Sequence, residues 1–219
     1  MAKIIYNHIN KNWISKYPIV KFSGRIVVVL NAQEADKAVS FLLSQPLLGI
    51  DTETRPSFKK GKQNNVALLQ VSTPEVCFLF RLNIIGMTDS IIRLLENKDV
   101  VKVGVSLNDD LRRLHKNGEF EPGSFIDLQN CINNIGIEDK SLQKIYANLF
   151  HKRITKGQQL SNWEADILTE SQKLYAATDA WACINIYKEF KRLSETGDYQ
   201  LIKEETDNNE LSESISKER

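Results

Sequence analysis

LLGIDTETRPSFKKGKQNNVALLQVSTPEVCFLF, residues 47–80, decides the fold class. LLGIDTE (47–53) is apolar until it ends in carboxylates, the composition of a buried strand that emerges at an edge. VALLQVS (66–72) and VCFLF (76–80) are rich in β-branched, aromatic and aliphatic residues. Only Thr73, Pro74 and Glu75 separate them, so they pair as a hairpin. Hairpin strands are antiparallel, which rules out an all-parallel sheet.

Outward from this stretch, RIVVVL (25–30) reads as a strand. Asn31 with Glu34 is close to a capping box, and Ala35, Ala38, Val39 and Leu42 follow at helical spacing. Thr88 opens an amphipathic helix through 96. VVKVGV (100–105) is a further buried strand, leading into a helix that carries Leu111 and Leu114. The second half is helical, at 141–149 and 169–193, and Thr169 with Gln172 forms a capping box for the last helix. Strands early and helices late, with βα alternation near the start, predict an α/β domain: a mixed sheet flanked by helices. Residues 1–24, interrupted by Pro18 and Gly24, read as an irregular arm. The domain proper is expected over 25–194, and 195–219 reads as a flexible acidic tail.

The 219 residues, 42% hydrophobic, suffice for one substantial core. No apolar run approaches the roughly 18 residues of a membrane span, and the N-terminus lacks the pattern of a secretory signal. Cys77, Cys131 and Cys183 are widely spaced and odd in number, as expected of buried thiols in a reducing cytoplasm. The net charge of +1 is segregated: residues 193–219 hold eight acids against three bases, −5, which leaves the body at +6. A basic body suits a polyanionic partner, although an ordinary solvated surface has the same composition.

Three acidic sites concentrate the chemistry. Asp51 and Glu53 stand at i and i+2 in a strand and so share one face. Paired carboxylates repel unless a cation lies between them, and oxygen ligands suit magnesium or manganese. A polar strand end meeting solvent would look the same. Asp110, in Ser106-Leu107-Asn108-Asp109-Asp110, sits near a helix start, where the helix dipole alone favours an acid. Tyr175 and Asp179, at i and i+4 in LYAATDAWA, stack on one helical face. A surface Asp beside a half-buried Tyr is the ordinary alternative. Among so many small and apolar neighbours, however, an ionised carboxylate is costly unless paired or metal-bound.

In the order DxE, then D, then YxxxD, the chain resembles the DEDD exonuclease superfamily in its DEDDy branch. Position 174, where the DEDDh branch has His, is Leu. LSNWEADILTESQKLYAATDAWACINIY, with VALLQ and VKVGVSLNDDL, is similar to the exonuclease domain of Werner syndrome helicase and its single-domain relatives. Ribonuclease D and polymerase I proofreading domains are more distant cousins. The resemblance implies a ribonuclease H-like three-layer fold and 3′→5′ removal of 5′-mononucleotides from single-stranded or recessed 3′ ends. It also implies two divalent cations, Mg2+ or Mn2+, held by Asp51, Glu53, Asp110 and Asp179, with Tyr175 orienting the attacking water. Asp109 is the rival for the second motif. Thr52 and Thr54 are expected near the terminal nucleotide.

Arg55, Lys59, Lys60 and Lys62 form a basic loop, with Lys59 and Lys60 as substrate contacts or solvated charge, and Phe58 either packs in the hydrophobic interior or stacks on a base. Lys152, Arg153 and Lys156 form a second basic loop. Trp163 and Trp181 are assigned to the core, and Asp127 to the cap of the following helix. Two other readings stand beside this one. A ribonuclease D-type enzyme would trim RNA with the same chemistry, and the lack of a further helical domain after residue 194 tilts the expectation towards DNA. A non-catalytic nucleic-acid-binding module on the same fold would not need mutually repelling carboxylates.

Overall fold

The computed structural model describes residues 2–57, 61 and 63–203. Phe58, Lys59, Lys60, Lys62 and the acidic residues from 204 onward lie outside them. The chain begins with β1 (Lys3–Tyr6) and α1 (Lys11–Ile14), then enters the domain at β2 (Arg25–Val29) and α2 (Ala32–Leu42). β3 (Leu47–Thr54), β4 (Val66–Ser72) and β5 (Val76–Phe80) follow, then α3 (Leu82–Ile85) and α4 (Asp89–Glu96). The second motif lies in β6 (Val101–Gly104) and α5 (Leu107–Leu114), and β7 (Phe125–Asp127) leads into α6 (Leu128–Asn133). α7 (Leu142–Phe150), α8 (Glu170–Thr196) and β8 (Tyr199–Ile202) complete the described chain.

Six strands form one mixed sheet in the order β2-β5-β4-β3-β6-β7. The β4–β5 hairpin is antiparallel, as its short connection requires, and β3 is antiparallel to β4. β2 with β5, β3 with β6, and β6 with β7 are parallel. Every residue of β4 is buried, which is why it reads as a continuous apolar run rather than an alternating one. Side chains of α2 and α4 pack with Ile50, Leu69 and Val71 in one core cluster. Residues of α8 pack in two further clusters, one with α6 and α7 and one with Leu68 and Leu79. The result is the expected mixed sheet flanked by helices.

Helix starts follow their caps. Asn31 accepts from the Glu34 N–H and Thr88 from the Ile91 N–H. Glu34 bonds the N–H of Leu30 rather than that of Asn31, so the box there is displaced by one residue. At Thr169 and Gln172 both halves of the capping box form. α8 ends at Gly197, whose φ of 64° lies in the left-handed region that glycine enters without steric cost.

Parts of both flanking segments are ordered. The arm is not irregular: β1 pairs in parallel with β8, Lys3 with Tyr199 through Tyr6 with Ile202. Ile5, Ile9 and Phe22 are buried. Asn148 clamps Tyr6 by accepting from its N–H at 3.0 Å and donating to its carbonyl at 2.7 Å. Lys3 and Arg192 both bond Glu189, whose pKa falls to about 2, chiefly through the Arg192 hydrogen bond. Residues 195–202 belong to this clasp rather than to a flexible tail. A four-residue strand whose partner lies almost 200 residues away has too little local pattern to announce itself. β7, only three residues long, was not expected for the same reason. Cys131 is half-buried rather than buried, and all three cysteines are free.

Candidate active site

The site forms where β3, α5 and α8 converge. Asp51 and Glu53 lie on one face of β3 through the two-residue strand period. Gly49, two residues earlier, lets α8 approach closely: a Cβ there would lie 1.9 Å from the Ala180 carbonyl oxygen. Ala176, Ala177 and Ala180 of α8 are fully buried, so small residues along the helix let it pack close to the sheet. Asp179, adjacent to Ala180 and 3% exposed, is thereby carried to the carboxylates of β3. Oxygens of Asp51, Glu53 and Asp179 all lie within 4.8 Å of one another.

Asp110 arrives from α5, and the Thr52 hydroxyl donates to its Oδ1 at 2.6 Å. The hydroxyl of Thr52, expected on the substrate, is therefore engaged in holding Asp110. Thr54 lines the cleft, and its buried Oγ1 has no hydrogen-bond partner among the described residues. Asp109 points elsewhere, 61% exposed and paired with Arg112 at 2.8 Å.

Burial dominates the electrostatics. It pushes the Asp51 pKa well above the carboxylate range, and repulsion from Asp110, Asp179 and Glu53 adds to it. Glu53 rises to about 9 through burial, then through Asp179 and Asp110. Burial lifts Asp179 to about 7 against a hydrogen bond from Tyr175. Asp110 rises to about 6, burial outweighing the opposing pull of the Thr52 hydrogen bond and Arg113. The Tyr175 phenol, 7% exposed, is pushed up by burial and then by Asp179. It is therefore a neutral donor at physiological pH. Asp179 Oδ1 is buried with no hydrogen-bond partner among the described residues. An all-oxygen donor set, mutual repulsion and an unpartnered carboxylate oxygen together fit a hard divalent cation.

α5 is anchored from outside itself. Ser106, at its N-cap, has φ 62° in the left-handed region and makes no side-chain cap bond. Asp127 supplies the cap instead, accepting from the N–H groups of Ser106 at 3.3 Å and Leu107 at 2.9 Å. It also caps α6 through Gln129 N–H at 2.9 Å, the one role its sequence position suggested. The cleft holds about 490 Å³ and takes Arg113, Gln143 and Leu160 into its walls, none of which was singled out from sequence. Arg113 was legible in principle, since i+3 from Asp110 lies on the same helical face. Arg55 also lines the cleft but is paired with Glu164 at 3.1 Å. Trp163 is fully buried against Tyr175, with ring centroids 6.1 Å apart, and Trp181 is partly buried in the core.

A family model described as 3′-5′ exonuclease matches residues 26–195. The chain belongs to the 3′-5′ exonuclease family. It is 33% identical over 189 residues to the mouse bifunctional 3′-5′ exonuclease/ATP-dependent helicase WRN, covering 82% of this chain and 14% of that protein. An Arabidopsis thaliana 3′-5′ exonuclease is 31% identical over 193 residues, covering 81% of this chain and 67% of the relative. This exonuclease-family chain thus spans a small part of the first and about two thirds of the second. Among solved structures, the Aedes aegypti Nibbler EXO domain superposes with TM-score 0.70 at 22% identity, covering 87% of this chain and 95% of that one. Escherichia coli RNase D, titled an exoribonuclease involved in structured RNA processing, gives 0.68 at 20%, covering 79% and 45%. These likenesses establish the shared ribonuclease H-like fold.

Proposed function

We propose that this chain hydrolyses the terminal phosphodiester bond at the 3′ end of a nucleic-acid strand, releasing a 5′-mononucleotide with the help of divalent cations. The observation that carries this reading is the 4.8 Å grouping of Asp51, Glu53 and Asp179 in a chain of the exonuclease family. Those three residues would hold one cation, and Asp110 with Asp51 a second. Mg2+ or Mn2+ there would lower the pKa of bound water and stabilise charge on attacking and leaving oxygens. Thr52 keeps Asp110 oriented through its 2.6 Å bond. Tyr175, neutral and hydrogen-bonded to Asp179, is placed to orient the attacking water, and too high in pKa to deprotonate it. Thr54 offers a hydroxyl to the terminal nucleotide. Lys59 and Lys60 fall in sequence between Ser57 and Gln63, both of which line the cleft, and are proposed as phosphate contacts.

The test uses 5′-labelled DNA and RNA strands, resolved on a gel, with Mn2+ or excess EDTA. Wild-type protein should shorten the strand stepwise from its 3′ end, and EDTA should stop it. Asp51→Ala should lose activity by several orders of magnitude, since a shared ligand is removed. Turnover in EDTA, or an active Asp51→Ala variant, would sink the proposal. The DNA and RNA arms assign the sugar, for which a ribonuclease D-like fold and a WRN-like sequence are equally suited.

A further inference from the structure

Two cavities adjoin the cleft through shared lining residues, and both are built partly from the segment preceding β2. The first, about 230 Å³, shares Tyr175 with the cleft and has Lys21 in its wall. The second, about 370 Å³, shares Ile154 and Thr155 with the first and Gln143 with the cleft. Its walls carry Lys11, Lys144, Arg153 and Lys156, with half-buried Ile14 as apolar surface over the buried Ile154, and no carboxylate among its described lining residues. Lys144 is tied to Asp139 at 2.8 Å, and Arg153 gives its Nε–H to the Tyr17 carbonyl at 3.0 Å. Lys11 and Lys156 are exposed and have no ion-pair partner among the described residues.

The two walls are held together. Val20 N–H donates to the Arg153 carbonyl, and Arg153 N–H to the Pro18 carbonyl, each at 3.0 Å. Phe22 N–H donates to Thr178 Oγ1 on α8 at 3.1 Å. Lys11, Ile14 and Lys21 precede residue 26, where the match to the family model begins. Cations beside apolar surface, next to a cleft proposed to take a strand end, match the needs of single-stranded nucleic acid: charge for phosphates and a nonpolar face for bases.

The geometry points to a strand-binding groove in which Lys11 and Lys156 hold phosphates of the substrate strand upstream of its terminal nucleotide, with a base against Ile14. This assignment rests on the exonuclease reading above, and its test is chosen to fail separately from it. Both lysines are exposed, so Lys11→Ala/Lys156→Ala should leave the fold intact. Binding of a 5′-labelled single strand of about 16 nucleotides is measured by fluorescence anisotropy in EDTA across a salt series, for DNA and for RNA. Affinity should fall roughly 3- to 30-fold, as expected of two exposed charge contacts. The slope of log affinity against log salt should shrink by about 1.4, since each phosphate contact on a single strand contributes about 0.7. Cleavage of a dinucleotide in Mn2+ should be unchanged.

Unaltered affinity and salt slope would overturn the groove. So would an equal loss on the dinucleotide. A loss confined to a duplex with a recessed 3′ end would move the contact to the complementary strand and overturn the assignment to the substrate strand. Wild-type protein that binds the strand but cleaves nothing would defeat the exonuclease reading, while the anisotropy comparison would still decide the groove.

Discussion

Tyr175 illustrates how far a single side chain can be read. Its position four residues before Asp179 places both on one helical face. Burial to 7% exposure and the bond to Asp179 follow only from the fold. If the hydroxyl orients water, Tyr175→Phe should lower single-turnover cleavage roughly 10- to 1,000-fold, the range for one placed hydrogen-bonding or proton-relay group. Packing against Trp163 is kept, so thermal stability should change little. A Phe variant that cleaves at the wild-type rate would remove the phenol from the mechanism. Asp110 and its rival Asp109 are held in different surroundings. Both lie in the first turn of α5, and rotation about the helix axis turns Asp110 to Thr52 and Asp109 to Arg112.

At the scale of the element, α5 depends on a residue outside it. The start of a helix leaves unpaired N–H groups that a cap must satisfy. Ser106, in left-handed backbone, makes no such bond, and the Asp127 carboxylate takes the N–H groups of Ser106, Leu107 and Gln129. Asp127→Ala should therefore cost about 1–3 kcal/mol in urea denaturation, the combined loss of two caps made by one half-buried carboxylate. Because α5 carries Asp110, kcat should fall as well. Asp127→Asn, which keeps one acceptor oxygen, should recover part of both. If Asp127→Ala melts like wild type, the capping account is wrong. α8 contrasts with α5: its cap lies in its own sequence, Thr169 with Gln172, and its start was predicted correctly.

For the whole molecule, the clustered acids make stability depend on pH and metal together. Unfolded Asp and Glu titrate near 4, whereas here Asp110, Asp179 and Glu53 titrate at about 6, 7 and 9. The folded protein therefore holds more protons than the unfolded chain across this window. Their favourable contribution is fully present below about pH 4 and is lost as pH rises through the three folded values. In EDTA, the stability contributed by these groups should decline from about pH 4 to about pH 9. A divalent cation bound to the ionised site should reverse the neutral part of that decline, by about 2.7 kcal/mol at a hundredfold excess over Kd. For a chain of this size that is roughly 5–10 °C in Tm. Thermal melts with and without Mn2+ at pH 5 and pH 8 check this. No Mn2+-dependent gain at pH 8, or an equal gain in Asp51→Ala, would contradict the site as drawn.

The sequence by itself determined the features with a short physical period. Asp51 with Glu53 and Tyr175 with Asp179 could be paired because strands repeat every two residues and helices every 3.6. The β4–β5 hairpin and the cap at Thr169 were legible because their partners lie within a few residues. Tertiary structure alone decided the rest. It joined β1 to β8 across most of the chain and placed Asp127 on a helix that begins 20 residues earlier. It also directed the Thr52 hydroxyl to Asp110, and set Lys11 and Lys156 around one cavity. These contacts join residues far apart in the chain, so no local period encodes them, and only close packing of the core brings them together.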